Sequence, residues 1–407
     1  MTPSLTRRAF LIRSTVVGCS LAASPLLTPV TFAAAPGDNR LVVIILRGAM
    51  DGIDVVQPYG DPALAGLRRT LVAGEAGGAA DLDGFYALHP GLKSLLPLWQ
   101  AGELAFAHAV STPYRNTRSH FDGQDLLEAG TMGLTPASRT DGWLNRLLQH
   151  QAGTLSDTAY AIGHDALPVL AGPAAVANWA PDAGLQLSPQ ARRLAETVMH
   201  DDPLFRMALA EALQLSDLQV PVADDDEGQA EMGGMVPPTP KPAGGHVALA
   251  DFAAERLRGE ARIAAFSLSG WDTHAAQKAT LPRALVPLAE TILALKAGLG
   301  PVWGQTAVLA MTEFGRTARE NGTAGTDHGT GGAMLMAGGA VRGGRVLAEW
   351  PGLGASDLYE GRDLRPTRDV RAHAAWAMRG LFGLDRALLE SAIFPGLDMG
   401  ADPQLML

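Results

Sequence analysis

The 407-residue chain has one cysteine, Cys19, so no disulfide can form within it. In an oxidising compartment its fold must therefore rest on core burial or on metal. Charge is also scarce, at 18% of residues against 47% hydrophobic, which excludes disorder for most of the chain and provides for a large core. Basic residues are outnumbered: the formal net charge is -10, and removing Arg7, Arg8 and Arg13 with the first segment makes it -13. That balance argues against nucleic acid as a partner, and an anionic substrate would need a local metal or basic site. The amino-terminal segment lacks an apolar run of about 18 residues, because Arg13, Ser14 and Pro25 interrupt it, so no stable membrane span is expected in the mature chain. Glycine and proline are plentiful, at 47 and 27, as in an α/β fold with many loops at strand ends.

The first residues run basic, apolar, small: Arg7 and Arg8 before Ala9, Phe10 and Leu11, a mildly apolar stretch to Leu27, then Ala33, Ala34 and Ala35. This is the order of a secretory signal over residues 1–35. Paired arginines with modest hydrophobicity point to the twin-arginine translocase as export partner, cleavage near Ala35 and a periplasmic or otherwise exported product. Cys19 follows Val16, Val17 and Gly18, which resembles a lipoprotein processing box. Lipidation there would instead keep the chain on a membrane.

Short β-branched or apolar runs (41–46, 104–108, 158–162, 262–268, 306–311 and 333–337) alternate with stretches of helical spacing (90–100, 120–129, 143–151, 190–200 and 282–299). The alternation predicts an α/β fold, a doubly wound and mostly parallel sheet with helices on both faces. Residues 36–407 read as one domain or a domain with a cap. Residues 221–245, acidic first and then rich in Gly and Pro, read as a mobile surface loop.

In doubly wound sheets ligands gather at the carboxyl ends of strands, so the residues beside each strand carry the information. Asp51 follows the first strand on a glycine-flanked turn, as a ligand or as a cap. Arg118, Ser119 and His120 open a helix, where Ser119 suits either an N-cap or a nucleophile; Arg118 and the helix end can hold an anion. Asp272 and His274, two apart on a loop, suit a divalent metal or a structural pair. Glu313 is a ligand or the partner of Arg316 or Arg319, and Asp327 with His328 sits in a glycine-rich loop before a further strand. Their shared placement favours one polar centre.

The strings LRGAMDG (46–52), RSHFDGQ (118–124), DGWLNR (141–146), GWDTHAAQ (270–277), TEFGRTARENGTAGTDHGTGG (312–332) and WPGL (350–353) resemble the bacterial domain-of-unknown-function 1501 family, from Leu41 to the carboxy terminus. That family in turn is similar to the alkaline phosphatase and sulfatase superfamily. The resemblance implies an alkaline-phosphatase-like fold and hydrolysis of a small anionic phosphate or sulfate ester through Ser119, assisted by Arg118 and His120. It also implies a divalent metal (zinc, manganese, magnesium or calcium) drawn from Asp51, Asp272, His274, Glu313, Asp327 and His328. The Asp272–His274 spacing is shorter than the superfamily's, and Glu313 with Phe314 stands where it has an Asp-His pair, so one metal site is expected to be altered. The contrasting expectation is a non-catalytic secreted binding or structural protein that keeps the fold with a degenerate metal site.

Overall fold

Residues 41–46 are apolar without alternation, the pattern of a strand covered on both faces, and every one of them is fully buried. In the computed structural model, which describes residues 37–115, 118–135, 140–151, 158–163, 165–180 and 244–407, they belong to the central strand β1 (Arg40–Arg47). The chain continues through β2 (Val56–Gln57), β3 (Ala80–Asp81), β4 (Ala87–Leu88), β5 (Leu104–Ser111), β6 (Ala159–Ile162), β7 (Ala177–Trp179), β8 (Ile263–Ser269), β9 (Thr306–Thr312), β10 (Gly332–Ala337), β11 (Arg345–Leu347) and β12 (Arg368–Asp369). One large sheet has the order β11-β5-β10-β9-β1-β8-β6-β7, with β12 beside β5; β2, β4 and β3 form a small second sheet. In the large sheet β1 runs parallel to β8 and β9, with Leu41 opposite Ile263 and Ala307. Only β10 runs against its neighbours, β5 and β9.

The longer helices are α1 (His120–Ala129), α2 (Trp143–His150), α3 (Gly245–Arg258), α4 (Gln277–Leu299) and α5 (Val370–Phe382). Side chains alternate along a strand. Leu41, Val43 and Ile45 thus share one core with Trp143, Leu147, Val370, Ala374 and Met378 from α2 and α5. Val42, Ile44 and Leu46 face the other side, where α3 and α4 pack on each other and on β8. Each such aliphatic side chain contributes roughly 1.5–3 kcal/mol through burial, so the sheet is held from both faces. By length and apolar composition the stretch Gln277–Gln305 could also cross a membrane. In this fold its Leu281, Leu285, Leu288, Ile292, Leu295 and Leu299 are fully buried, as in a core helix.

The fold class is the expected α/β, and β1, β5, β8 and β9 start within a residue of the expected runs. The expected helix 90–100 divides into a 3-10 turn (Pro90–Leu95) and a short α-helix (Leu96–Gln100), since Pro97 has no N–H to carry a ladder across the join. Helix α4 starts five residues before Pro282, which it accommodates as an interior residue. The signal segment 1–35, Cys19, the helix expected at 190–200 and all but the last two residues of the 221–245 loop lie outside the described residues.

Candidate metal centre

The topology brings the polar residues to one edge. Asp51 follows β1, His120 is reached from β5, Asp272 and His274 follow β8, and Glu313 follows β9. Asp327 and His328 precede a strand, yet they reach the same edge because β10 is antiparallel.

There the imidazoles of three residues surround one carboxylate oxygen. Asp272 Oδ1 lies 3.0 Å from His274 Nε2, 3.4 Å from His120 Nε2 and 3.4 Å from His328 Nε2. His274 Nε2 and His328 Nε2 are 2.9 Å apart. The other nitrogen of each ring faces an acceptor: His120 Nδ1 to Glu313 Oε1 at 2.8 Å, His328 Nδ1 to the Arg118 carbonyl at 2.9 Å, and His274 Nδ1 to Asp327 Oδ1 at 3.4 Å. A carboxylate or carbonyl only accepts, so these contacts place the ring proton on Nδ1 and leave the Nε2 lone pairs directed inward. Two such lone pairs at 2.9 Å repel one another unless a cation or an added proton lies between them. His120 Nε2 is moreover buried without a hydrogen-bond partner.

These features fit a metal. A tetrahedral ion with bonds of about 2.0–2.1 Å separates its ligand atoms by about 3.3 Å, close to the 3.4 Å that separates Asp272 Oδ1 from His120 Nε2 and from His328 Nε2. Ligand atoms of His120, Asp272 and His328 all fall within 4.8 Å of one another. Backing each metal-facing imidazole with a carboxylate or carbonyl is the usual way of fixing its tautomer and orientation.

Electrostatics follow from the same contacts. Glu313 is fully buried. Burial works to raise its pKa, but the bond from His120, with donors from Gln124 (3.2 Å) and Thr312 (2.9 Å), holds it below the ordinary carboxylate range. The backbone N–H groups of Gly48 and Ala49 reach the same Oε1 at 3.0 Å each. Glu313 in turn raises the pKa of His120, against the effect of burial, whereas burial lowers that of His328. Burial also pushes Asp272 upward, but the 2.6 Å bond and charge of Arg316 keep it low. Arg316 is fully buried and spends its other hydrogens on the carbonyls of Gly48, Ala49, Trp271 and Thr326. Phe314 lies beneath the rings, stacked on His120 at 5.2 Å and on Tyr114 at 5.8 Å. A Cβ at Gly123 would stand 2.9 Å from the Phe314 ring, so α1 can approach this close only with glycine there.

Over residues 102–385 the sequence matches the family described as protein of unknown function (DUF1501). The chain belongs to this family. The matched span holds all the residues from Arg118 to His328 described above, whereas Asp51 precedes it. Among solved structures the chain is similar to a protein in the alkaline phosphatase superfamily from Vibrio parahaemolyticus, at 13% identity and a TM-score of 0.38, over 96% of this chain and 78% of that one. It is similar also to the lipoteichoic acid synthase LtaP from Listeria monocytogenes, at 10% identity and a TM-score of 0.36, over 89% and 77%. These likenesses are too distant to carry any inference about the site. No curated protein matches the chain in sequence.

In this DUF1501 chain the expected ligands do not all converge. Asp51 is fully buried, but its oxygens take a two-pronged contact from Arg68 (2.6 and 3.1 Å) and a bond from Gln277 (2.7 Å). Asp51 is thus paired with a guanidinium and lies outside the group formed by His120, Asp272 and His328, although Asp272 Oδ1 itself takes Arg316 Nη2 at 2.6 Å. Glu313 and Asp327 orient rings instead of joining the central group: Glu313 Oε1 is filled by donors, and Asp327 also takes Asn321 Nδ2 at 3.0 Å. His120, expected in a catalytic role, supplies a ligand-type nitrogen. Ser119 is the N-cap of α1, its Oγ accepting from Asp122 N at 3.4 Å, and its N–H bonds Tyr114 Oη at 2.7 Å. Arg118 is exposed, with a φ of 53°, and what it gives the cluster is its carbonyl. Sequence reasoning missed Arg68, Gln124 and Gln277. Gln124 carries a usable signal, one helical turn after His120 and therefore on the same face of α1; Arg68 lies in a loop with no pattern to mark it.

Proposed function

We propose that this chain is an exported, metal-dependent hydrolase of phosphate or sulfate esters, with Ser119 as its nucleophile. The observation that carries the reading is the convergence of the His120, His274 and His328 Nε2 atoms on Asp272 Oδ1, each ring held from behind. A divalent metal held by His120, Asp272 and His328, with His274 beside them, would supply Lewis-acid stabilisation of charge on the ester oxygens; an imidazole-rich donor set favours zinc or another transition metal over magnesium or calcium. Asp51, neutralised by Arg68, argues for one ion and not two. Ser119 adjoins His120 at the start of α1, where the free N–H groups of the first turn and the Arg118 guanidinium offset negative charge on the transferred group. Tyr114 Oη holds the Ser119 main chain in place for attack. Attack by Ser119 Oγ expels the alcohol and leaves a phospho- or sulfoserine, which water then cleaves to restore the hydroxyl. Arg7 and Arg8 support export by the twin-arginine route, with a periplasmic product.

The Ser119 cap bond and the closed Asp51–Arg68 pair favour the second reading, a binding protein that keeps the metal without turnover. Metal content and turnover of aryl phosphate and aryl sulfate separate the two, measured on protein from its native compartment. The hydrolase reading expects one divalent ion per chain, its loss in Asp272→Ala and His328→Ala, and turnover that depends on it. Absence of a stoichiometric metal from the wild-type protein would refute it.

A further inference from the structure

One buried ion pair borders the metal-type cluster and takes no part in the proposed chemistry. His120, Gln124 and Glu128 follow one another at four-residue spacing on α1, so their side chains share one face of that helix. Arg47, the last residue of β1, reaches the latter two. Its Nη1 donates to Gln124 Oε1 at 2.8 Å and lies 2.9 Å from Glu128 Oε1, while its Nη2 donates to the Ala166 carbonyl at 2.9 Å. The Arg47 side chain is 16% exposed and that of Glu128 0%. Glu128 Oε2 accepts from Val169 N at 3.1 Å, whereas Oε1 takes no aligned hydrogen bond, so its hold on Arg47 is one of charge. Burial pushes the Glu128 carboxyl up to about 7 against that charge.

The pair sets the direction of an amide. An arginine side chain only donates hydrogen bonds, and a carboxylate only accepts them. Gln124 stands between the two, its Nε2 3.2 Å from Glu313 Oε1, and one orientation alone satisfies both neighbours: oxygen to Arg47, nitrogen to Glu313. The opposite orientation would set oxygen against oxygen at a buried anion and donor against donor at Arg47. Glu313 Oε1 is also the atom that holds His120 Nδ1 at 2.8 Å. The Gly48 and Ala49 N–H groups on this oxygen are fixed by the main chain. Gln124 is a flexible side chain, whose ordering must be sustained by contacts at both of its ends.

We propose that Arg47, held by Glu128, is a positioning residue for the cluster: it acts through Gln124 and Glu313 to keep the His120 ring aimed at Asp272 and His328. The proposal rests on the metal reading for what the ring binds, and one arm of its test needs no metal. Loss of Arg47 alone would strand a buried carboxylate, so the test variant is Arg47→Met/Glu128→Gln, which removes both charges and leaves the net charge unchanged. Zinc affinity is measured by chelator competition at about pH 8, where Glu128 is largely ionised. The expected result is binding about tenfold weaker in Arg47→Met/Glu128→Gln and in Gln124→Leu, with no further loss when the three substitutions are combined. Arg47→Lys keeps the charge and a donor and should lose less; it carries the same comparison with Gln124→Leu if the double variant does not fold. In metal-free protein the Gln124 side-chain amide, followed by NMR, should be rigid in wild type and mobile in Arg47→Met/Glu128→Gln. Unchanged zinc affinity in that variant, or losses that multiply on combination with Gln124→Leu, overturns the positioning role and leaves the metal reading intact. An amide that stays rigid without the ion pair overturns it equally. Wild type that binds no zinc, with an amide that Arg47→Met/Glu128→Gln sets free, overturns the metal reading alone and leaves the positioning of Gln124 standing.

Discussion

Replacing Arg68 by methionine should be among the most destabilising changes near the site, and its size follows from what the guanidinium touches. Arg68 contacts both Asp51 oxygens, and the two side chains are 2% and 0% exposed. It also donates to the carbonyls of Thr317 (2.8 Å) and Ala318 (2.7 Å). In Arg68→Met, Asp51 keeps Gln277 at 2.7 Å, a distant Thr326 at 3.5 Å and the charge of Arg316 at longer range, but no guanidinium bonded to it. Removing one partner of a buried ion pair costs about 3–5 kcal/mol, chiefly for the charge left behind. We expect that loss in urea unfolding at neutral pH. The Asp51→Asn/Arg68→Met double variant should recover part of it, because neither charge of the pair then remains. The pH dependence has a definite sign. Burial resists ionisation of Asp51, but Arg68 overrides it and holds the folded pKa below the unfolded one. The pair therefore stabilises the protein fully above the unfolded value of about 3.9, and its contribution is lost as pH falls through the lower folded pKa. A single variant within about 1 kcal/mol of wild type would show that the pair is not the anchor its geometry implies.

Glu313→Gln keeps the shape of the side chain but removes the anion behind His120 Nδ1, and should weaken divalent-metal affinity by about 10- to 100-fold in chelator competition. Unchanged affinity would mean that His120 is not a ligand. Ser119→Ala should abolish ester turnover while costing about 0.5–1 kcal/mol of stability, since its cap bond is long at 3.4 Å. Retained turnover in that folded variant eliminates the covalent mechanism and leaves direct attack by water. Replacing Arg7 and Arg8 by lysine should hold the precursor in the cytoplasm, because lysine keeps the charge without the planar donor fork; fractionation showing normal export would exclude the twin-arginine route.

Much of this protein is legible in the chain itself, for reasons of local physics. Short β-branched runs without alternation such as 41–46 read as strands covered on both faces, and helical spacing after Ser119 marks α1 because the cap and the apolar face are both short-range features. The polar residues at the strand ends were recognisable as one group for the same reason: a parallel sheet gathers its carboxyl ends on one edge. What each of them does was decided in three dimensions. That Asp327 and His328 belong to the edge at all depends on β10 running antiparallel, which is set by its pairing with β5 and β9 and not by its own sequence. Asp51 follows a strand as a ligand or a cap would, and its contact with Arg68 through both oxygens comes from the packing of a later loop. Glu313 looked like a ligand or an arginine partner, and only the position of His120 on a different element turned it into the group that aims a ring. Local sequence states which side chains can bind, donate or carry charge. Which partner each one meets is a long-range contact between segments 193 and 226 residues apart, and it exists only once the sheet has formed.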